Sequence, residues 1–433
     1  MAIKTLAILP FGDEIGGKEH LSDGLMEMLI DAADRAGIQC APRPRAAVYK
    51  GEKVDLKNAA ETLQSNLIMT GILMEAADGN MNLHTKLTGM PEMATLLERD
   101  YVVAEDGIPQ LLAQVFGNLL QALEMPPPAN LGKQFNYGMS ASAPALDAYL
   151  RGVQAVHGRN ETSNQKAIEY LSKAVEFDSK FARAYSRLSE AHAKRYQFFS
   201  AHNTASLKGA VDASHTAVIL APELAEAQAA LGVALMLAKD FIKAGDAFEQ
   251  AQKLDPHLYG AWYDHAGCCF QQGLLKQAAT LYEKASQVRP LDYQSVLLLR
   301  QVYLSLGRLD DATNTAKRGI KLATEHVKLY PDEARAYYLA CGAMMQLGMY
   351  KDAVDWAAKA LAIDPADPTI NYNVACCYAQ IGEYDKAMDC LEKVQGFGLL
   401  SPGWLKNDSD LFSLHGNPRF KALLQSLTEG KPA

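Results

Sequence analysis

The chain has 433 residues, of which 49% are apolar and 21% are charged, a composition typical of a globular protein rather than a disordered one. At this length we expect more than one domain or one long repeat array. The formal net charge of −8 argues against bulk binding to nucleic acid, and no apolar run reaches the roughly 18 to 20 residues of a membrane span.

The first 125 residues predict a small mixed α+β domain. The opening run, Ile3 to Phe11, is short and apolar and lacks a secretory cleavage pattern, so we expect a buried strand in a cytoplasmic protein. Apolar residues at helical spacing from Leu21 to Ala36 predict a helix that ends at Gly37. The same patterns predict strands at 38–49, 66–75, 81–87 and 94–103, helices at 55–64 and 108–123, and a tight turn at 78–79. This order implies a mixed sheet with helices on one face.

Five short motifs carry a resemblance to a known domain. They are Ala7-Ile8-Leu9-Pro10-Phe11, Leu21-Ser22-Asp23-Gly24-Leu25, Tyr49-Lys50-Gly51, Leu87-Thr88-Gly89 and Leu97-Glu98-Arg99-Asp100-Tyr101. Together they resemble the TolB amino-terminal-like domain over nearly its whole length. That domain often precedes tetratricopeptide arrays in bacterial regulatory and adenylate-cyclase-associated proteins. The resemblance implies a bacterial protein and a non-catalytic sensing or docking domain, without implying a ligand.

A linker follows the mixed domain. Three consecutive prolines, Pro126 to Pro128, break the helix and favour extended backbone, and the stretch to Ala143 is rich in glycine, serine, asparagine and alanine. We place the linker at 126–143. Two alternatives stay open for it: Phe135 and Tyr137 pin it to one side of the protein, or it is a solvated spacer.

A repeated register dominates the rest of the chain. Small residues recur at intervals of 43, 34, 34, 34, 41 and 34, namely Ala167, Ala210, Ala244, Ala278, Ala312, Ala353 and Ala387. Prolines stand twelve residues after four of them, at 222, 256, 290 and 365. Small residues let two antiparallel helices approach closely, and a proline stops the second helix of each pair. A period of 34 residues is typical of a helix-turn-helix solenoid.

These positions match the tetratricopeptide repeat, and about seven copies cover 144–395. The match implies an all-α superhelical solenoid in which neighbouring repeats bury each other's apolar faces. The 43-residue interval contains about nine extra residues around Tyr196 to Lys208, and the 41-residue interval adds two helical turns at Lys321 to Leu329. Residues 396–433 depart from the repeat, contain a last helix at Pro418 to Leu427 and are predicted to cap the array.

The first helices of the repeats are predicted to line an inner surface that binds a partner protein or peptide. Tyrosine offers a large amphipathic contact area, and arginine pairs with carboxylates. The alternative is that these tyrosines pack between helices. Chaperone-tail binding is not favoured, because Asn373 alone does not make the lysine- and asparagine-rich clamp. The predicted partner-binding residues are Tyr149, Arg183, Lys194, Tyr263, Phe270, Arg335, Tyr338 and Tyr372.

Two groups of residues resemble metal or phosphate sites. His265, Cys268 and Cys269 fall within one helical turn, but they supply fewer ligands than a zinc site needs, so we interpret them as helix contacts. Gly12 to Gly17 has the interval of a phosphate loop, but Glu19 stands where that loop needs serine or threonine. The seven cysteines make a poor disulfide framework and favour reduced thiols. We therefore predict no cofactor, no metal and no catalytic residue.

The sequence as a whole indicates a non-enzymatic scaffold or regulatory adaptor. It predicts a protein or peptide partner, no nucleic acid and no membrane span, and leaves homo-oligomerisation open. An alternative is a regulatory protein that senses a small molecule or nucleotide through the N-terminal domain. A third hypothesis, a hydrolase or nucleotidyl enzyme, rests on the glycine-containing turn alone.

Overall fold

The computed structural model describes residues 5–41, 46–49, 54–75, 81–104, 107–128, 131–156, 158, 160–199, 203–396, 400 and 402–428. The chain forms two compact units, Met1–Cys268 and Cys269–Ala433. The predicted turn at 78–79 and part of the motif at 49–51 lie outside the described residues. Among the described residues, no helix has both the length and the apolar character needed to cross a membrane.

A mixed sheet forms the core of the first 125 residues. Its strands are β1 (Thr5–Ile8), β2 (Gly12–Asp13), β3 (Gln39–Cys40), β4 (Leu67–Glu75), β5 (Met81–Gly89) and β6 (Ala94–Val103). The strand order is β3-β1-β4-β5-β6, and β2 also pairs with β4. β1 and β2 run parallel to β4, while β4, β5 and β6 form an antiparallel meander. The predicted α+β class is confirmed.

The helices of this domain lie on both faces of the sheet, which corrects the prediction of one covered face. Leu6 and Ile8 share a core with α1 (Glu19–Arg35) and α3 (Ile108–Ala122). Ala7 and Leu9 point the other way, into a core with α2 (Leu56–Leu63). Alternate residues of an extended strand point to opposite faces, and these four consecutive residues are all apolar, so both faces need a cover.

The second predicted strand is also shorter than expected. The sequence pattern predicts a strand over residues 38–49, but among the described residues of that range only Gln39 and Cys40 pair with β1. Two prolines follow closely in the sequence, at 42 and 44. Proline lacks the N–H group that a ladder requires, so the apolar pattern overstated the length of this strand.

The linker packs against the protein, as the first of the two alternatives predicts. It contains a short helix, α4 (Leu131–Asn136), and the ring of Phe135 meets Phe116 of α3 edge to face at 6.0 Å. The Tyr137 hydroxyl accepts a hydrogen bond from the backbone N–H of Glu223 (3.2 Å). The linker is therefore held at both positions that the sequence singled out.

Fourteen helices follow in seven consecutive pairs within the described part of residues 143–396. The pairs are α5 (Ala143–Val156) and α6 (Glu161–Phe177), α7 (Ala182–Lys194) and α8 (Thr204–Leu220), α9 (Ala225–Leu237) and α10 (Phe241–Leu254), α11 (Tyr259–Gln271) and α12 (Leu275–Val288), α13 (Tyr293–Ser305) and α14 (Leu309–Leu329), α15 (Ala334–Gln346) and α16 (Tyr350–Ile363), and α17 (Pro368–Gln380) and α18 (Tyr384–Gly396). The fourth pair contains the division between the two units.

The alanine register is the contact between the two helices of a pair. All seven register alanines lie in second helices and are fully buried, which confirms the predicted role of Ala244, Ala278 and Ala353. The first helices contribute small residues of their own. A Cβ atom on Gly232 would lie 2.6 Å from the ring of Phe248, and one on Gly152 would lie 2.6 Å from Leu171 Cγ. Only glycine permits so close an approach.

The two irregular intervals appear in the structure as predicted. The first follows α7, which continues into a π-helical turn at Arg195–Phe199 before α8 begins at Thr204. The second is α14, which is 21 residues long, whereas α10, α12 and α16 each have 14. The additional turns are thus accommodated by lengthening existing helices.

The last described segment has a different architecture from the repeats. It contains α19 (Pro402–Asn407), a 3-10 helix (Ser409–Leu414) and α20 (Pro418–Thr428). Its buried residues Leu405, Leu411, Leu414 and Phe420 share one core with α17 and α18. We refer to residues 402–428 as the capping segment, and their role as a cap stays a prediction. The predicted break at Phe397 and the side chain of Trp404 lie outside the described residues.

Candidate interaction surfaces

We define the first-helix face as the surface that the first helices of successive pairs form within one unit. In the first unit it is formed by α5, α7 and α9, and α7 packs against both of the others. The N-terminal helix α1 lies on this face and contacts all three helices through side chains. The surface that the sequence assigns to a partner therefore holds a helix of the same chain.

The amino-terminal end of α1 is joined to α5 by a buried histidine. His20 lies 2.8 Å from a carboxylate oxygen of Asp147, which also accepts hydrogen bonds from Arg151. Burial lowers the pKa of His20, and the positive charge of Arg151 lowers it further, while Asp147 acts in the opposite direction. At neutral pH the contact between His20 and Asp147 is therefore a hydrogen bond between a neutral imidazole and a carboxylate.

One turn further on, α1 and α5 are in close contact. A Cβ atom on Gly24 would collide with the side chain of Leu150, so the glycine allows the two helices to approach. Beside it, the side-chain amide of Gln154 donates a hydrogen bond to Asp23 (2.9 Å). This part of the interface combines apolar packing with one polar contact at its edge.

The middle of α1 meets α7 through a largely buried ion pair. Arg187 donates from one Nη to Glu27 (2.9 Å) and from the other to Glu190 of its own helix (3.0 Å). Asp31 lies 4.0 Å from the same guanidinium. The carboxylate of Glu190 raises the pKa of Arg187 above its usual range, and Glu27 and Asp31 act in the same direction. The guanidinium is thus held charged between two helices.

The carboxyl-terminal end of α1 enters a four-residue ion network. Arg35 donates to Glu226 at the start of α9 and, from Nε, to Asp255 at the end of α10 (3.0 Å). Arg183 of α7 donates to the same Glu226 oxygen at 2.8 Å. Burial alone would raise the pKa of Glu226, but Arg35 and Arg183 together hold that pKa well below its ordinary range. Glu226 is therefore the ionised centre of the network.

Three of the predicted partner-binding residues lie in this part of the first unit. Tyr149 is buried, and its ring centroid is 4.8 Å from that of Phe181. Arg183 belongs to the ion network described above. Lys194 donates from Nζ to the carbonyl oxygen of Val156 (2.9 Å), and burial lowers the pKa of this lysine. All three are engaged by residues of the same chain.

The other predicted residues are distributed over α11, α15 and α17. Tyr263 and Phe270 on α11 are half-buried, and Tyr263 stacks on Tyr259 with ring centroids 5.4 Å apart. Arg335 on α15 is also half-buried, whereas Tyr338 on the same helix is buried. Tyr263, Phe270 and Arg335 therefore keep part of their surface exposed on first helices.

The last of the predicted residues, Tyr372, contacts the capping segment. Its hydroxyl donates a 2.6 Å hydrogen bond to Asp408, whose side chain also caps the 3-10 helix by accepting from the backbone N–H of Asp410. Burial raises the pKa of Tyr372, as do the neighbouring Cys376 and the Asp408 carboxylate. Tyr372 thus links α17 to the capping segment through a hydrogen bond.

Removing that hydroxyl is expected to destabilise the second unit modestly. Tyr372→Phe leaves Asp408 without one of its donors, and we expect a loss of about 1 kcal/mol in the free energy of unfolding, measured by urea denaturation. The matched control is Tyr384→Phe, because Tyr384 is an exposed tyrosine on α18. Equal midpoints for the two variants would contradict the role assigned to Tyr372.

A buried arginine joins two first helices of the second unit. Arg300 of α13 is only 9% exposed and donates from Nη1 to the carbonyl oxygen of Gly342 (3.1 Å) and to Gln346 (3.2 Å) on α15. Burial lowers the pKa of Arg300, and Asp410 opposes this effect. Gly342 has no side chain, so at this position the guanidinium group of Arg300 lies between α13 and α15 and links the two helices.

Cys376, Asp408 and Asp410 place three potential metal ligands within 4.8 Å of one another. Asp408, however, already accepts hydrogen bonds from Tyr372 and from the Asp410 backbone. Burial and the two carboxylates raise the pKa of the Cys376 thiol, which favours the protonated form that does not bind metal. The arrangement fits a contact between α17 and the cap.

The two sequence motifs that resemble metal and phosphate sites have structural partners. His265 stacks on Phe248 at 5.5 Å and lies 3.1 Å from the amide of Gln252. In the glycine-containing turn, the Asp13 carboxylate accepts hydrogen bonds from the backbone N–H groups of Ile15, Gly16 and Lys18 at 3.1, 3.0 and 2.7 Å. A phosphate would need such N–H groups, and here an acidic side chain occupies them.

The residues of α1 that contact the repeats are not among those predicted from the sequence. Their signal is a charged residue at every fourth position, namely Asp23, Glu27, Asp31 and Arg35. Such a stripe on a helix with one apolar face usually indicates a solvated surface. Nothing in the spacing distinguishes a solvated stripe from one that meets complementary charges elsewhere in the chain.

Comparisons with known proteins agree with the geometry of the helix pairs. A tetratricopeptide-repeat family model matches residues 246–292 and 297–368, and a second such model matches residues 344–396. The helical array is built of tetratricopeptide repeats. No curated protein matches the sequence. The resemblance of the N-terminal domain to the TolB family and the association with adenylate cyclase stay predictions.

Several solved structures resemble the tetratricopeptide array. TTC0263, a thermophilic tetratricopeptide protein of Thermus thermophilus, is 19% identical, with 47% of this chain and 99% of that chain covered and a TM-score of 0.35. YrrB, a tetratricopeptide protein described as having an unusual peptide-binding site, is 20% identical over 47% of this chain and 96% of its own, with a TM-score of 0.31. Human IFIT1, solved as a dimer with m7Gppp-AAAA, is 16% identical over 74% of this chain and 69% of its own, with a TM-score of 0.51. The last likeness shows the fold alone.

Proposed function

We propose that the protein is a non-enzymatic scaffold or adaptor of the bacterial cytoplasm whose tetratricopeptide repeats bind a protein or peptide on the first-helix face. Tetratricopeptide proteins generally act in protein–protein interaction. The observation that carries the proposal is the part-exposed set Tyr263, Phe270 and Arg335 on first helices. Aromatic and arginine side chains with part of their surface free are the residue types that dominate binding energy at interfaces.

Four other predicted positions are held by contacts within the chain. Tyr149, Arg183 and Lys194 are held within the first unit, and Tyr372 is held by the cap. The odd number of cysteines and their two adjacent pairs make a poor disulfide framework, which supports a reducing compartment. In this proposal, partner binding depends first on Tyr263 in the first unit and on Phe270 and Arg335 in the second.

Site-specific photo-crosslinking in the native cells tests this proposal. A photoreactive phenylalanine analogue at position 263 or 335 is expected to crosslink a partner protein, whereas the analogue at exposed position 384 on a second helix is not. Capture of that partner by Tyr263→Ala or Arg335→Ala should fall at least tenfold, because truncation of interface hot spots costs about 2 kcal/mol or more.

The matched control is Tyr384→Ala, which also removes a part-exposed tyrosine. Far-ultraviolet circular dichroism must show native helicity in all three variants. Crosslinks that form equally from position 384, or capture that survives both first-helix substitutions, would refute the assignment of the binding surface.

A further inference from the structure

Helix α1 is buried on two opposite sides. At 100° per residue, the apolar stripe that meets the sheet and α3 is separated by roughly half a turn from a polar stripe. The apolar stripe consists of Leu21, Leu25, Leu29, Ala32 and Ala33. The polar stripe consists of Asp23, Glu27, Asp31 and Arg35, and it meets the repeats.

The length of the polar stripe matches the spacing of the repeats. From Asp23 to Arg35 the helix advances 12 residues, which is about 18 Å at 1.5 Å per residue. Three packed helices with interaxial distances of about 8 to 10 Å span about 16 to 20 Å. One residue of the stripe thus meets α5, two approach Arg187 of α7, and the last reaches Glu226 at the start of α9.

We propose that the first-helix face of α5, α7 and α9 is a docking site for an amphipathic helix of a partner protein that carries three acidic residues and then a basic residue at intervals of four, and that α1 is its resident competitor. This inference rests on the proposed function and names the chemistry of the partner. The groove supplies the amide of Gln154 and the guanidinium group of Arg187 to the acidic positions, and the carboxylate of Glu226 to the basic one. Helix-in-groove recognition through such regularly spaced residues is a common mode of peptide binding.

Helix α1 lies between the sheet and the repeats. It packs on β1, β2, β3 and α3 on one side and on α5 on the other, where its apolar residues share one core with Leu146 and Leu150. Release of α1 therefore separates apolar packing, including Gly24 on Leu150, as well as ion pairs and hydrogen bonds. An amphipathic partner helix with the same polar spacing covers this apolar surface and replaces the polar contacts, which makes exchange feasible.

A cavity is also present where α1 faces α5 and α7. It has a volume of about 40 Å³, and its lining includes Met28, Asp31, Tyr149, Ser186 and Arg187. Polar side chains line it next to apolar ones, so both kinds of side chain of an occupying helix find matching surroundings there.

A charge reversal in the full-length protein tests the inference. Glu27→Arg places two cations against each other and is expected to release α1 from the face. The probe is a fluorescent peptide of residues 18–36, which should bind the Glu27→Arg protein at least tenfold more tightly than the wild-type protein. A peptide that itself carries Glu27→Arg should bind neither protein.

The second variant restores the ion pair between positions 27 and 187 with the two charges exchanged. In Glu27→Arg combined with Arg187→Glu, the resident helix regains its partner, and binding of the natural-sequence peptide should return to the wild-type level. Release of α1 is measured independently by maleimide labelling of a cysteine at position 186, introduced as Ser186→Cys in each background. Ser186 is only 2% exposed when α1 is docked.

Two results would overturn the inference. The first is unchanged labelling at position 186 in the Glu27→Arg protein, because this ion pair would then not govern docking. The second is increased labelling without peptide binding, because the face would then not accept a helix supplied from outside. Both readouts concern α5, α7 and α9, whereas the capture experiment concerns Tyr263 and Arg335, so either proposal can fail without the other.

Discussion

Glu226→Gln is expected to lower the free energy of unfolding by about 3 kcal/mol, because breaking a buried ion pair leaves an uncompensated charge. Glu226 accepts hydrogen bonds from both Arg35 and Arg183, and the side chains of the three residues are only 16%, 26% and 15% exposed. Glutamine keeps the size of the side chain but removes the negative charge between the two guanidinium groups. Urea denaturation followed by circular dichroism measures the loss.

The matched control for this variant is Glu223→Gln, three residues earlier in the chain. Glu223 is exposed, so its neutralisation should change stability by no more than about 0.5 kcal/mol. If the two variants unfold at the same urea concentration, the network centred on Glu226 does not stabilise the protein.

The stabilisation that Glu226 provides is expected to depend on pH. Because the two arginines hold the pKa of Glu226 below its ordinary range, its ionised form is favoured in the folded protein. The stabilisation is therefore fully present above the pKa of an unfolded glutamate, about 4.3, and is lost as the pH falls through the depressed folded value. The stability difference between the wild type and Glu226→Gln should accordingly be constant near neutrality and shrink below about pH 4.

The largest loss of stability is expected from Phe248→Ala, at about 4 kcal/mol. Phe248 of α10 is fully buried, its ring lies directly against the backbone of Gly232, and it stacks on His265. Truncation leaves a cavity between the two helices of the third repeat, and the small residues around it cannot fill it. The measurement is again urea denaturation, supported by amide hydrogen exchange of α9 and α10.

The control for the cavity is Ile242→Ala in the same helix. Ile242 is 79% exposed, so the same helix loses an apolar side chain without forming a cavity, and the change should stay within about 0.5 kcal/mol. A complementary test adds volume instead of removing it: Gly232→Ala should destabilise the protein, and Phe248→Leu should recover part of that loss. Independent, additive effects of the two substitutions would show that Gly232 and Phe248 are not coupled.

The candidate binding surface was only partly predictable from the sequence. The register places Tyr149, Tyr263, Tyr338 and Tyr372 on first helices, and the structure has them there. Their exposure differs, because each neighbourhood is filled by a different segment of the chain. Tyr149 lies near α1, Tyr372 bonds to the cap, and Tyr263 keeps a part-exposed ring. Their role in partner binding stays a prediction.

The repeat period by itself determined the helix pairs and the tetratricopeptide architecture. Close approach of two helices requires small residues at fixed spacings. The recurrence of Ala244, Ala278 and Ala353 in the sequence therefore reflects the packing of each helix pair. The apolar runs of the N-terminal region similarly determined a mixed sheet with helices. They did not determine that helices cover both of its faces.

Only the tertiary structure decided what occupies the first-helix face. Glu27 and Arg187 are 160 residues apart, and Arg35 and Asp255 are 220 apart. The periodicity of a sequence shows which residues share a face of one helix. Which two helix faces pack together depends on the tertiary fold, because the helices concerned are far apart in the sequence. An acidic stripe on α1 is compatible with solvent or with arginines, and the relative placement of α1, α7 and α9 selects the arginines.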